Sequence, residues 1–210
     1  MAALWWIQVG LEDGEVTVAD KYWDPKFCPS YTPEQMLKAG VFEGKYINAV
    51  KGVPAAWKQF PKVLGPNDEP DPKLNKFGVK SRQPLSVWRS NGWIRTDKMG
   101  WFEWYIKYYN GRRLGKEDDW QIGRWRSFVA RHQGQIVASG QTKDETKRIV
   151  QRQGLLQWAW DSREPFTEER CEKNLINILR ATGCKRKPED SKEDKVSNES
   201  LLVLPKSTQW

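Results

Sequence analysis

Tryptophan is the residue that most constrains the fold of this chain, because thirteen occur among its 210 residues. Each tryptophan carries a large apolar ring and one N–H group that needs a partner when it is buried. A chain with so many rings has to bury most of them in a sizeable core. Its length is sufficient for one domain that contains such a core.

Positive charge is concentrated in the middle of the sequence. Residues 1–79 carry a net charge of −1, residues 80–160 carry +9 and residues 161–210 are balanced, which gives +8 in total. No arginine precedes Arg82, and ten of the fourteen lie between Arg82 and Arg152. Because a guanidinium group presents a planar fork of donors to phosphate, this distribution favours a polyanionic partner. A solvated basic face without a specific partner is the alternative.

Local signals in the N-terminal part predict a hairpin, a short helix and a loop. Residues 4–19 have the pattern of a β-hairpin around the turn dipeptide Asp13-Gly14. Thr32, Pro33 and Gln35 form a capping-box pattern that opens a helix, which ends at Gly40. Residues 54–60 predict one further helical turn, and the proline-rich residues 61–76 predict an exposed loop.

Helical signals dominate the rest of the chain. Caps, acidic first turns and glycine stops predict helices over about residues 81–90, 98–110, 117–132, 142–160 and 167–183. We therefore predict a mainly α fold: a single helical domain over residues 1–183 with a small N-terminal β-hairpin, a basic Trp/Arg-rich module at residues 77–160, and a disordered tail over residues 184–210.

The cysteines and the N-terminus indicate an intracellular protein, cytoplasmic or nuclear. Cys28, Cys171 and Cys184 are odd in number and widely spaced, which predicts free thiols in a reducing compartment. The first residues lack the basic region of a signal peptide, and no apolar run is long enough to span a bilayer, so no membrane partner is expected.

The aromatic segment at residues 100–109 has the spacing of a helix that is apolar over most of its circumference. Trp101, Trp104, Tyr105 and Tyr108 follow the i, i+3, i+4, i+7 pattern of one helical face. We expect these rings to form core, with base stacking as the alternative.

The cationic side chains of the central module are the candidates for binding a nucleic acid. Arg124 and Arg131 are seven residues apart, and Arg148 and Arg152 are four apart, so each pair is expected on the outer face of a helix. The short helix near Lys80 resembles a presented recognition helix. The predicted nucleic-acid-binding residues are Lys80, Arg82, Arg89, Arg112, Arg113, Arg124, Arg126, Arg131, Arg148 and Arg152.

Catalytic patterns are weaker than the binding pattern. The single His132 excludes a multi-histidine metal site, and residues 111–116 fall one residue short of a P-loop, so neither a metal nor a cofactor is expected. The remaining catalytic candidates are Glu43, Lys45, as a lyase-type nucleophile, and Asp161.

Five short motifs resemble those of an uncharacterised family of small Trp-rich proteins. They are Val41–Tyr46, Phe77–Ser81, Trp88-Arg89, Gly100–Tyr105 and Gln121–Arg126. The resemblance covers about residues 33–162 and implies domain limits but no activity.

The sequence thus favours a nucleic-acid-binding protein, with DNA preferred over RNA. Two alternatives remain open. One is a DNA-processing enzyme, glycosylase/lyase-like or base-modifying, that holds an extruded base between aromatic rings. The other is a protein-interaction module with an aromatic groove.

Overall fold

The computed structural model describes residues 22–188, so the hairpin predicted over residues 4–19 lies outside the described part. Within residues 22–188 there are six α-helices, four short 3₁₀ turns and two short strands. The mainly α fold class is confirmed. The helices are α1 (Pro33–Ala39), α2 (Leu85–Ser90), α3 (Trp101–Tyr109), α4 (Lys116–Ala138), α5 (Ile149–Gln157) and α6 (Glu168–Thr182).

The two strands join the ends of the described chain. β1 (Tyr22–Trp23) pairs in parallel with β2 (Lys185–Arg186), and Cys184 between α6 and β2 is buried. The predicted tail therefore begins too early, because residues 184–188 belong to the fold. The remainder of that tail, residues 189–210, lies outside the described residues.

Short-range caps explain where several helices begin and end. Thr32 and Gln35 form the reciprocal capping box that the sequence predicts, and α1 ends at Gly40 with φ +101°. The Thr167 side chain accepts a hydrogen bond from the Arg170 backbone N–H, so the predicted cap of α6 is also confirmed.

The 3₁₀ turns connect α1 to the loop that precedes α2. They span Phe42–Gly44, Tyr46–Ala49, Ala55–Gln59 and Pro72–Leu74. The third of them confirms the helical turn expected near residues 54–60, and Trp57 within it is buried.

The core is a cluster of aromatic rings around Phe27. Phe27 is fully buried, and its ring centroid lies 5.0–6.3 Å from those of six other rings. Four of these contacts are edge-to-face, the arrangement that aromatic quadrupoles favour, one is tilted and one is stacked. The six rings belong to Trp23, Trp101, Trp104, Tyr105, Tyr108 and Trp125. The expectation that the rings of α3 form core is confirmed.

The cysteines differ from the expectation of free thiols. Cys28 and Cys171 form a disulfide, with their Cα atoms 5.1 Å apart, whereas Cys184 is free and buried. The prediction failed because the two cysteines are 143 residues apart in sequence and meet only when α6 packs against the segment before α1.

Candidate functional site

A cationic groove lies between the segment before α2, the second half of α4, and α5. We define it by its volume of about 970 Å³ and by the residues that line it, which include Lys80, Arg82, Arg131 and Arg148. No aspartate or glutamate is among these lining residues. Within residues 22–188, the Lys80 ammonium and the Arg131 guanidinium have no hydrogen-bonded or ion-paired partner, so both charges are available to a ligand.

Hydrogen bonds to α5 hold the segment before α2 in place. The Gln157 side chain donates to the Ser81 carbonyl at 2.7 Å, and the Ser81 hydroxyl donates to the Val150 carbonyl. Gly154 permits this approach, because a Cβ atom there would lie 3.2 Å from the Ser81 hydroxyl oxygen. Lys80 and Arg82 flank Ser81, and they are thereby fixed beside the helix that follows Arg148.

Aromatic rings line the groove beneath the cations. The rings of Phe128 and Trp158 stack at a centroid distance of 4.6 Å, and Trp88 lies 6.1 Å from Trp158 on a nearly parallel plane. Trp158 is anchored from the core side by Trp101 at 4.8 Å. Because Trp88 and Phe128 are only half-buried, each has ring surface at the groove.

Arg82 joins the groove to a second, smaller cavity of about 380 Å³. Its guanidinium donates two hydrogen bonds, of 3.1 and 2.5 Å, to one carboxylate oxygen of Glu43. Glu43 is buried, and both it and Phe42 have a left-handed backbone, with φ of +56° and +52°. A strained backbone of this kind persists only where the surrounding structure requires it. Here it places the Glu43 carboxylate next to the Arg82 guanidinium. Glu43 is therefore the ion-pair partner of Arg82, and it lines neither cavity.

Arg124 lies behind the groove. Its guanidinium is 4.5 Å from the centre of the Trp120 ring and within 6 Å of the Trp88 and Trp158 rings, and it donates to the Trp93 carbonyl at 3.0 Å. Burial lowers the pKa of Arg124 to about 10, which leaves the side chain charged at neutral pH. The aromatic rings thus surround the Arg124 cation, which is less accessible than Arg131 two turns further along α4.

Two other predicted binding residues have internal partners. Arg112 forms a bidentate ion pair with the buried Asp97, and Arg113 donates to the carbonyls of Tyr22 and Tyr108 while stacking on the Tyr108 ring. Burial alone would raise the pKa of Asp97, but hydrogen bonds from Arg112 and Lys107 outweigh it and hold that pKa below its usual value. These cations stabilise the fold and are not at the groove.

Arg152 does not lie on the outer face of its helix. It is fully buried, whereas Arg148 is exposed, because α5 begins at Ile149 and Arg148 precedes it with a left-handed φ of +54°. The four-residue spacing therefore does not put Arg148 and Arg152 together on the outer face of a helix. The guanidinium of Arg152 instead donates to main-chain carbonyls and to the Ser162 hydroxyl.

Arg89 and Arg126 are exposed but do not line the groove. Arg89 donates to the Lys98 carbonyl at 3.3 Å, and Arg126 donates to the Lys26 carbonyl at 3.0 Å. Of the ten predicted cations, four therefore line the groove, and the other six do not.

The remaining catalytic candidates are engaged in local structure. The Lys45 ammonium donates to the carbonyls of Gly65, Pro66 and Asp68, and so organises the loop in which acidic residues cluster. Asp161 forms a bidentate pair with Arg163; burial favours a higher pKa for Asp161, but the hydrogen bonds from Arg163 lower it on balance. Neither residue lines the groove.

Sequence reasoning missed several groove residues. Phe128 and Gln151 line the groove but have no signal of their own in the sequence. His132 also lines the groove, where burial, reinforced by the charge of Arg131, lowers its pKa to about 4. Helical spacing would have placed Phe128 and His132 on the same face of α4 as Arg124 and Arg131, and this was the available signal.

Neither a metal site nor a membrane span is found in the described part of the chain. Across residues 22–188, no three side chains of His, Cys, Asp or Glu gather as a metal ion would require. No helix in that range has the length and apolar character needed to cross a bilayer.

Comparison with known proteins matches the chain to no protein family, no curated protein and no solved structure. The fold and the site by themselves define a mainly helical protein with an aromatic-lined cationic groove.

Proposed function

We propose that this protein binds single-stranded nucleic acid in the cationic groove. The observation that carries the proposal is the convergence of Lys80, Arg82, Arg131 and Arg148 around half-buried aromatic rings, without an acidic residue in the lining. Positive charge that follows a phosphate backbone and rings that stack on bases are the two components of single-strand binding sites.

Single strands are favoured over duplexes by the position of the rings. Trp88 and Phe128 lie in the lining of the groove together with the cations, and a base can stack on them only when it is unpaired. The cationic lining also disfavours a cage for a positively charged peptide group, which acidic or neutral surroundings would suit better. The preference for DNA over RNA that the sequence suggests is part of the same proposal.

Salt-dependent binding tests the charge component. Binding of a fluorescent single strand of roughly 12 nucleotides should weaken steeply with salt, since each neutralised phosphate contributes about 0.7 to the logarithmic slope. Replacing both Arg131 and Arg148 by Ala should therefore reduce the slope by about 1.4. Arg126→Ala is the matched control, because Arg126 is an exposed arginine of α4 outside the groove. A slope near zero, or an equal effect of Arg126→Ala, would contradict the proposal.

Replacing a ring tests the stacking component. Phe128→Leu should weaken binding by about 1–3 kcal/mol if a base stacks on this ring, and the loss should persist at high salt.

The same titrations with RNA and with duplex DNA rank the affinities of the protein for single-stranded DNA, RNA and duplex DNA. Equal affinity for RNA would remove the DNA preference, and tighter binding of duplex would contradict the single-strand assignment.

A further inference from the structure

The smaller cavity adjoins the cationic groove and has a more aromatic lining. Its volume of about 380 Å³ is near the lower end of the roughly 300–1,000 Å³ that small-molecule sites occupy. Arg82, Gln83 and Trp88 line both cavities, so the two lie next to each other. Among the described residues that line the smaller cavity there is no aspartate or glutamate.

Three aromatic rings line the smaller cavity beside the one that it shares with the groove. The rings of Phe42 and Phe102 stack at a centroid distance of 5.0 Å, and the Tyr46 ring lies 4.7 Å from that of Phe42. The Tyr46 hydroxyl donates to the Met99 carbonyl and accepts from the Glu103 backbone N–H at 3.1 Å. These contacts hold the rings in place before a ligand binds, which lowers the entropic cost of binding.

The backbone at Phe42 is unusual for an aromatic residue. Its φ of +52° lies in the left-handed region, which bulky side chains rarely adopt, and strained residues of this kind are frequent at ligand-binding sites. Gln157, which lines the groove, accepts from the Phe42 N–H at 3.4 Å and donates to the Ser81 carbonyl at 2.7 Å. One side chain thus fixes the walls of the two cavities relative to each other.

Arg82 retains one nitrogen for a ligand where the two cavities adjoin. Its Nε and Nη2 atoms donate to Glu43, whereas Nη1 has no hydrogen-bond partner within residues 22–188. The other cation that lines the smaller cavity, Lys45, donates to main-chain carbonyls, and no carboxylate of the described residues forms an ion pair with it. The ligand that suits this arrangement has an anionic group attached to a flat apolar ring.

A nucleotide combines these two features, because its base and its phosphate are attached to the same sugar. We propose that one unpaired base of the bound strand inserts into the smaller cavity, while a phosphate next to it binds Arg82. This inference rests on the single-strand binding proposed above and adds a specific site for a base. Extruding a base from its neighbours costs least in a single strand, which is the ligand proposed for the groove. Aromatic walls hold any base by its flat face, so no preference among the four bases is expected.

A strand with a single base tests the insertion. The ligands are a fluorescent abasic strand of roughly 12 nucleotides and the same strand with one central adenine, so the two differ only in the base. The wild-type protein should bind the adenine strand at least about fivefold more tightly, because one stacked base contributes on that scale. Equal affinities would overturn the inference, and a steep salt dependence of both would still support phosphate binding in the groove. Failure of both strands to bind would instead refute the proposed function.

A variant that fills the smaller cavity distinguishes insertion from stacking in the groove. Ala49 is exposed and lines the smaller cavity but not the groove, so Ala49→Trp reduces the space for a base and removes no cation. It should lower the affinity for the adenine strand at least about fivefold and leave the affinity for the abasic strand unchanged. A folded variant that keeps the wild-type preference for the adenine strand would overturn the insertion while binding in the groove stands. Equal losses for the two strands would overturn it as well.

Ala55→Trp is the matched control for this variant. Ala55 is exposed, begins the next 3₁₀ turn and lines neither cavity, so the variant should bind both strands as the wild type does. Loss of the preference in Ala55→Trp too would contradict the insertion. Leu85→Trp fills the same cavity from α2 and takes the place of Ala49→Trp if thermal melting shows that the latter is unfolded. The same outcomes then decide the inference.

Discussion

Arg152 shows how much of the positive charge in this chain serves the fold. Its guanidinium is fully buried and donates to the carbonyls of Lys147 and Asp144 at 2.9 and 3.0 Å, and to the Ser162 hydroxyl at 2.9 Å. It also donates to the carbonyls of Gln141 and Thr142. One side chain thereby fixes the whole turn before α5 by satisfying main-chain acceptors that would otherwise be buried without donors.

Replacing Arg152 by Lys should destabilise the protein strongly. Lysine retains the charge but has three donors on one nitrogen, so it cannot reach carbonyls on both sides of the guanidinium plane. Because hydrogen bonds to charged groups contribute about 1.5–3 kcal/mol each, we expect the free energy of unfolding to fall by at least about 3 kcal/mol. Urea denaturation followed by tryptophan fluorescence measures it.

The control for this substitution is Arg148→Lys. Arg148 is exposed, and its hydrogen-bond partner within the described residues is the Gln151 side chain, so the change should alter stability by less than about 0.5 kcal/mol. Similar losses in the two variants would contradict the distinction between a buried structural arginine and an exposed one.

Element boundaries were predictable where the signal was local. The caps at Thr32 and Thr167 involve side chains and N–H groups three residues apart, so the sequence contains the whole interaction. The start of α5 was not predictable in this way. The sequence predicts a helix from about residue 142, but the carbonyls of this turn accept from the buried Arg152, and the helix begins only at Ile149.

The groove could not be predicted as a unit for the same reason. Its cations were recognised individually, but the residues that line it come from three segments, near Arg82, Phe128 and Gly154. What brings them together is packing between elements, and the Arg82–Glu43 pair alone spans 39 residues. Residue type predicts phosphate binding, and the fold determines which of the arginines are exposed and which are buried.

At the end of α1, Gly40 should be among the least replaceable residues of the protein. Its φ of +101° is unfavourable for any side chain, and a Cβ atom there would collide with the Leu74 carbonyl oxygen. We expect Gly40→Ala to cost well above the roughly 1–2 kcal/mol of a left-handed backbone, or to prevent folding. Thermal unfolding measures the loss.

Gly52 provides the matched control for this prediction. It has a similarly positive φ of +72°, but a Cβ atom there would meet open space. Gly52→Ala should therefore cost only about 1–2 kcal/mol, the contribution of the backbone conformation by itself. Equal losses of stability in Gly40→Ala and Gly52→Ala would show that the collision with the Leu74 carbonyl oxygen does not contribute to the cost at Gly40.

At the scale of the whole molecule, the two ends of the described chain are fastened to each other. The β1–β2 pair joins residues 22–23 to residues 185–186, and Asn174 of α6 donates to the Cys28 carbonyl at 3.2 Å and the Ser30 hydroxyl at 3.1 Å. The Cys28–Cys171 disulfide adds a covalent link at the same place. All three connect α6, or the strand that follows it, to the segment that precedes α1, and this segment contains Phe27 of the aromatic core.

Reducing the disulfide should lower the stability of the entire fold. The bond closes a loop with a sequence separation of 143 residues, and a cross-link over so long a loop removes about 4–5 kcal/mol of conformational freedom from the unfolded chain. We expect a lower free energy of unfolding with reductant present, measured by denaturant titration. Cys171→Ser should match the reduced protein and show no further response to reductant. Alkylation of the native, unreduced protein followed by mass spectrometry should leave Cys28 and Cys171 unmodified, and labelling of both with unchanged stability would contradict the link.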